Sequence, residues 1–129
     1  MQTTKVLISL AVIALIIGGT GLYSYFKIET SSKVLAADIE EIETCLFDSD
    51  FSNAENRLEE FKEKWAKIRE CWSVITDHFE IDNIDTAIFK ADRMIKARDR
   101  SASLEEIASL LHLIRHLPET ESLNIKNVF

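Results

Sequence analysis

Hydrophobic positions along this chain follow two rhythms. From Val6 to Phe26 the sequence VLISLAVIALIIGGTGLYSYF runs for 21 residues without a charge. A helix of that length rises about 30 Å, the thickness of a bilayer's hydrocarbon, so the run predicts a membrane-crossing helix. Lys5 and Lys27 bracket it, and Tyr23, Tyr25 and Phe26 stand where an interfacial aromatic belt belongs. Beyond it the apolar residues become periodic. Leu35, Ile39, Ile42 and Leu46 recur at four, three and four, which predicts a helix over about Lys33 to Phe47. Asp48-Ser49-Asp50-Phe51 then reads as a turn. Ser52 with Glu55 forms a capping-box signature that opens a long helix. Its core positions are Ala54, Leu58, Phe61, Trp65, Ile68, Trp72, Ile75 and Phe79, a three-four repeat about 39 Å long.

The phase fails after Phe79, and Asp77, Asp82 and Asn83 can all cap, which predicts a turn or sharp kink between Asp77 and Asn83. A third helix carries Ile84, Ile88, Ala91 and Ile95 and ends near Arg98. Ser103 with Glu106 predicts the start of a fourth, with Ile107, Leu110, Leu111, Ile114 and Leu117 on its apolar face and Pro118 as its end. Glu119 to Phe129 is then a tail, whose Leu123, Ile125 and Phe129 are expected to dock on the bundle.

The expected fold is all-α: an N-terminal transmembrane helix followed by an antiparallel helical bundle of about four helices with one long central helix. The short first helix packs on the first half of the long one, and the third and fourth fold along its second half. Residues 1–27 form the anchor and residues 28–129 the bundle with its tail. Alternatively, Met1 to Lys5, Val6 to Ile17 and Gly18 to Gly21 read as the three regions of a signal peptide. Both readings export the remainder, so the body is expected outside the cytoplasm at the cell membrane. Lys27 and Lys33 weaken the positive-inside argument and leave the opposite topology open.

Composition narrows the chemistry. The chain has 129 residues, enough for one domain. Its three glycines, Gly18, Gly19 and Gly21, lie in the apolar run and its one proline is Pro118, so residues 22–117 contain neither. A body without glycine cannot build a phosphate-cradling loop, a dinucleotide fingerprint or a nucleophile elbow, each of which needs a backbone position free of a side chain. Ser73 and Thr76 lie near His78 but not on its helical face, which leaves no nucleophile beside a base. No enzymatic activity and no cofactor are expected.

Charge is uneven. Residues 29–63 carry Lys33, Arg57 and Lys62 against eleven carboxylates, which argues against nucleic acid as a partner. The one basic run, Lys90, Arg93, Lys96, Arg98 and Arg100, is interrupted by Asp92 and Asp99 and reads as a solvated or salt-bridged face, with the acidic first helix as its internal partner. Cys45 sits about one turn from the Asp48–Asp50 turn and Cys71 roughly 28 Å along the next helix, too far apart for a disulfide within the chain.

Two constellations remain. Folding the fourth helix back beside the third brings His116, and one turn earlier His112, toward His78, Glu80, Asp82 and Asp85. A pair of histidines four apart with a carboxylate suits a transition metal, so His78, Asp82, His112 and His116 are the candidate metal residues. The same pole can instead act as a pH-responsive cluster or as a structural polar network. In the apolar run, Ala11, Ala14, Gly18 and Gly21 place small residues on one face, which lets another transmembrane helix approach closely. Trp65 and Trp72, at core spacing, read as packing.

A single apolar N-terminal span, a long helix with Trp65 in its core, the stretch His78-Phe79-Glu80-Ile81-Asp82-Asn83-Ile84, a helix ending at His116-Leu117 and the terminus Asn127-Val128-Phe129 together resemble the bacterial domain of unknown function 4363 family. The resemblance implies a small membrane-anchored helical protein of Gram-positive, often spore-forming, bacteria. It also implies a genomic neighbour of the multi-span, YetF-like type as a partner for the small-residue face. It draws attention to His78, Asp82 and His116 without giving them a role. The expected function is a non-enzymatic accessory or interaction subunit of a membrane protein, with self-association as the other use of the same face. The alternative is an extracytoplasmic sensor of a metal, small ligand or pH at the His78/Asp82/His116 pole.

Overall fold

The computed structural model describes residues 1–128, and the side chains of all of these except Ser24, Ile75 and residues 120–128. The fold is all-α. Four helices follow one another, α1 (Gln2–Phe47), α2 (Phe51–Ile75), α3 (His78–Lys96) and α4 (Arg100–Val128), joined by turns of two or three residues. Such short connections force sequential helices to lie antiparallel. Each helix packs on the next, and α4 closes the bundle against α1.

Every helix presents one heptad seam to the core. The seam of α1 is Ile28, Ser32, Leu35, Ile39, Ile42 and Leu46, and that of α2 is Ala54, Leu58, Phe61, Trp65, the partly buried Ile68 and Trp72. In α3 it is Ile81, Ile84, Ile88, Ala91 and Ile95, and in α4 Ser103, Ile107, Leu110, Ile114 and Leu117, with Ala36, Ala87 and Pro118 buried beside these seams. Spacings of three and four throughout keep each stripe facing its neighbours along the bundle axis. Trp65 and Trp72 meet edge to face with ring centroids 5.5 Å apart, which is packing as expected from their spacing.

Four features differ from the sequence expectation. First, the apolar segment and the first bundle helix are one helix of 46 residues, about 69 Å long. Residues 22–47 contain no glycine or proline to interrupt it, and Glu29 pairs with Lys33 one turn later at 3.5 Å. Second, α2 stops at Ile75, one turn before the expected end at Phe79. Thr76 turns to extended backbone while both its N–H and its hydroxyl donate to the Trp72 carbonyl, each at 2.8 Å. Phe79 therefore falls on α3 and is 67% exposed rather than in the core.

Third, the caps are aspartates. Asp50 accepts from the Asn53 N–H, Asp77 from the Phe79 N–H and Asp99 from the Ala102 N–H, each at 3.0–3.3 Å. Ser52 lies inside the first turn of α2, and Ser103 lies buried on the seam of α4. At the turns distal to the apolar segment, Ser49 and Arg98 take left-handed backbone with φ of 54° and 59°. Around them the Asp50 N–H donates to the Cys45 carbonyl (2.8 Å) and the Asp99 N–H to the Met94 carbonyl (3.2 Å), the six-to-one bond of a Schellman ending.

Fourth, α4 continues through Pro118 to Val128, so residues 119–128 are helix and not a tail. The docking expected of Leu123, Ile125 and Phe129 concerns side chains outside those described. A proline inside a helix has no N–H for the carbonyl four residues earlier, here that of Ile114. The Ser32 hydroxyl of α1 supplies the missing donor, reaching the Ile114 oxygen at 2.7 Å in the buried interior. A buried acceptor that would otherwise be orphaned becomes the tie between α1 and α4.

Ser32→Ala is expected to destabilise the bundle by about 1–3 kcal/mol, the cost of leaving a buried carbonyl unpaired. In a Pro118→Ala background the restored N–H bonds Ile114 itself, and the same serine change costs markedly less. A double-mutant cycle measured by denaturant unfolding of the full chain in detergent reads this coupling directly.

Candidate functional site

The expected histidine pole is only partly assembled. His78 opens α3 and is exposed, and Asp82 is exposed one turn later. His112 and His116 lie one turn apart on α4 with their rings stacked, centroids 5.7 Å apart, and His116 Nδ1 stands 3.5 Å from a Glu119 carboxylate oxygen. Asp85, which the sequence reading placed in this group, instead accepts from Trp65 Nε1 at 2.7 Å and pairs with Arg69 at 3.0 Å. Among the described residues no three His, Cys, Asp or Glu side chains come together as a metal site. The four candidate residues thus supply one histidine pair, half a tetrahedral site at most.

The small-residue face has a clearer setting. Ala11 and Ala14 are exposed, Gly18 and Gly21 half-exposed, and a methyl group placed on Gly18 would meet nothing within 4 Å. No residue in the apolar window of α1 is buried by the rest of the chain. Counting along the helix, Ala11, Ala14, Gly18, Gly21 and Tyr25 lead at steps of three and four into Ile28, Ser32, Leu35 and the rest of the core seam. The free face and the buried one are the same stripe of one helix. The small residues alone point to this face, and the unbroken spacing from residue 11 to residue 46 is the further sequence signal for its register with the bundle core.

Where the stripe enters the bundle, α1 and α4 diverge to leave a groove of about 750 Å³ lined by Tyr25, Ser32, Ala36, Ala37 and Pro118. Ion pairs flank it, Glu29 with Lys33 on α1 and Glu40 with Arg115 across to α4. Glu119, 3.5 Å from His116, also lines it, so the lining sets three carboxylates against Lys33 and Arg115.

Ion pairs also bind α2 to the other helices. Lys64 reaches Asp38 of α1 at 2.8 Å, and Lys62 bridges Glu59 and Asp92, each at 2.9 Å. Lys96 joins Asp92 from the other side at 2.9 Å. Partial burial penalises the Asp92 charge, yet the hydrogen bonds from Lys62 and Lys96 outweigh it and hold the carboxyl below the usual carboxylate range. In the basic run Lys96 and Arg98 are salt-bridged, neither of them to a carboxylate of the first helix, while Arg93 stands over Phe89. Arg98 pairs with Glu55 of α2, and Arg100 donates to the Leu46 and Phe47 carbonyls that end the first helix. Cys45 and Cys71 are free thiols.

A bundle of this shape and length invites comparison with known proteins. The model of a family described as Domain of unknown function (DUF4363) matches residues 22–128. The chain belongs to the DUF4363 family. Searches of the curated proteins and of the solved structures gave no match. The DUF4363 match begins at Leu22, so it takes in the whole bundle and leaves Ala11, Ala14, Gly18 and Gly21 outside it.

The Asp92 pairs make a pH prediction for this DUF4363 member. A carboxyl held below its unfolded value adds stability that is present at neutral pH and is lost as the pH falls through its folded value. Asp92→Asn should cost about 1 kcal/mol at pH 7, and that difference from the unaltered chain should shrink toward zero in acid below the normal carboxylate range. Denaturant melts of both proteins at neutral and acid pH check it.

Proposed function

We propose that this protein is a membrane-anchored, non-enzymatic interaction subunit. Its α1 crosses the bilayer over about Val6 to Phe26, with Lys5 on the cytoplasmic side and the bundle outside. The Ala11/Ala14/Gly18/Gly21 face receives a transmembrane helix of another membrane protein, of the multi-span type that the family resemblance implies. One observation carries the reading: an unburied apolar half-helix whose small-residue face continues the core seam of the bundle. In lipid, close backbone approach across small residues is a principal source of helix association, because lipid tails compete with larger apolar side chains. Two hydroxyls within this half are already satisfied, Ser9 donating to the Lys5 carbonyl at 2.9 Å and Thr20 to that of Ile16 at 2.7 Å. These two demand nothing from a partner, and the small-residue face offers a fit of shape.

Ala14→Leu with Gly18→Leu fills that face without touching the bundle. Affinity purification of the full chain from membranes is expected to lose the co-purifying membrane protein by about tenfold or more, equivalent to about 1.4 kcal/mol. The melting temperature of the bundle stays within about 1 °C. The matching change on another face, Leu15→Ala, leaves the partner bound. Retention of the partner by the filled face refutes the reading, and cross-linking of two tagged copies would move it to self-association.

A further inference from the structure

We infer that the end of the bundle nearest the apolar half of α1 is a lipid-contacting surface. Val74 and Phe79, at the α2–α3 turn, seat in the interfacial layer of the bilayer that α1 crosses. The inference rests on reading α1 as a membrane span.

The register of the helices sets the level. Helix α2 starts beside the end of α1 at Phe47 and runs back antiparallel for 25 residues, which brings its last turn level with Tyr23. The Lys27 side chain, which lies against Cys71, gives the same register independently. Val74 and Phe79 therefore stand at the height of Tyr23 and Phe26, where the uncharged run of α1 ends. All four are open to solvent: Val74 is 83% exposed, Phe79 67%, Tyr23 67% and Phe26 59%.

Single exposed apolar side chains are ordinary on a protein surface, but a set from three helices at one height, beside a span, has the make-up of an interfacial belt. The other exposed phenylalanines of the bundle differ. Phe47 lies under the Arg100 guanidinium at 5.6 Å and Phe89 under that of Arg93 at 6.0 Å. Among the described residues no cation stands over Phe79.

The charges at this tip identify the source of the contact. Asp77, Glu80 and Asp82 surround the turn, with His78, Lys27 and Arg69 as the neighbouring bases, and Arg69 is engaged by Asp85. Among the described residues this is no basic cluster for anionic headgroups, so burial of the two apolar side chains drives the contact, and zwitterionic lipid suffices. A second contact beside the span would fix the tilt of the bundle over the membrane.

The test uses the full chain with Cys45→Ser and Cys71→Ser, reconstituted in phosphatidylcholine vesicles. Nitroxides are attached singly at Val74→Cys, Phe79→Cys, Phe89→Cys and Leu15→Cys, and power saturation compares access of oxygen with that of a water-soluble nickel chelate. The expected result is an oxygen-to-nickel ratio several-fold higher at positions 74 and 79 than at position 89, with position 15 higher still. Labels at 74 and 79 as open to nickel as that at 89, with position 15 still in lipid, overturn this inference and leave the span intact. Labels shielded from both reagents indicate a protein contact and overturn it equally. Nickel access at position 15 refutes the span reading itself.

Discussion

The structure depends on the continuity of α1. One heptad register runs from Ala11 to Leu46 on a helix with no break at the point where the uncharged segment ends. Because the seam is continuous, the rotational setting of the bundle about the α1 axis also sets which face the apolar half turns to its surroundings. Three glycines close to that junction would weaken a helix in water by about 1 kcal/mol each, but glycine is common in membrane helices, where an alternative to the intrahelical hydrogen bond is lacking. Beyond them the Glu29–Lys33 pair and the buried Ile28 and Ser32 hold the first bundle turns helical.

A second constraint follows from a polar pair in an otherwise apolar interior. Pro118 frees one carbonyl in α4, and Ser32 in α1 takes it. The bond pins the axial register of the two helices that are farthest apart in sequence yet close the bundle. A seam of Leu and Ile alone tolerates slippage between equivalent layers, whereas one hydroxyl and one orphaned carbonyl meet in a single register. The Asp50 cap and the extended Thr76 bound α2, and the Asp77 cap and a Schellman ending bound α3, which together set the height of the α2–α3 turn.

Much of this was legible in the residue pattern. The stripes Leu35 to Leu46, Leu58 to Trp72 and Ile84 to Ile95 are buried as their periodicity requires, and the near absence of Gly and Pro implied an all-α body. Where the reading failed, a local rule met a competing or distant partner. Phe79 keeps the heptad spacing from Trp72 across a break, so periodicity alone ran the second helix one turn too far. Asp50 and Asp99 outcompete Ser52 and Ser103 as caps, two and four residues upstream. Pro118 is a sound stop signal in isolation, and the residue that overrides it, Ser32, lies 82 positions from the Ile114 carbonyl it satisfies. The histidine pole was placed by topology, which brings helix ends to one level but does not decide which way their side chains turn. Asp85, drawn into that pole on paper, serves Trp65 and Arg69 instead.

The central claim, that the apolar segment and the bundle share one rigid helix, is tested most directly by a distance. Nitroxides at Leu10 and Val34, introduced as cysteines in a chain lacking Cys45 and Cys71 and reconstituted in lipid, are separated by 24 helical residues, about 36 Å along the axis. Pulsed electron resonance should give a single narrow distribution near that value. A broad distribution, or one centred well below it, would mean that the chain bends between segment and bundle, and the continuous seam would not exist in the membrane.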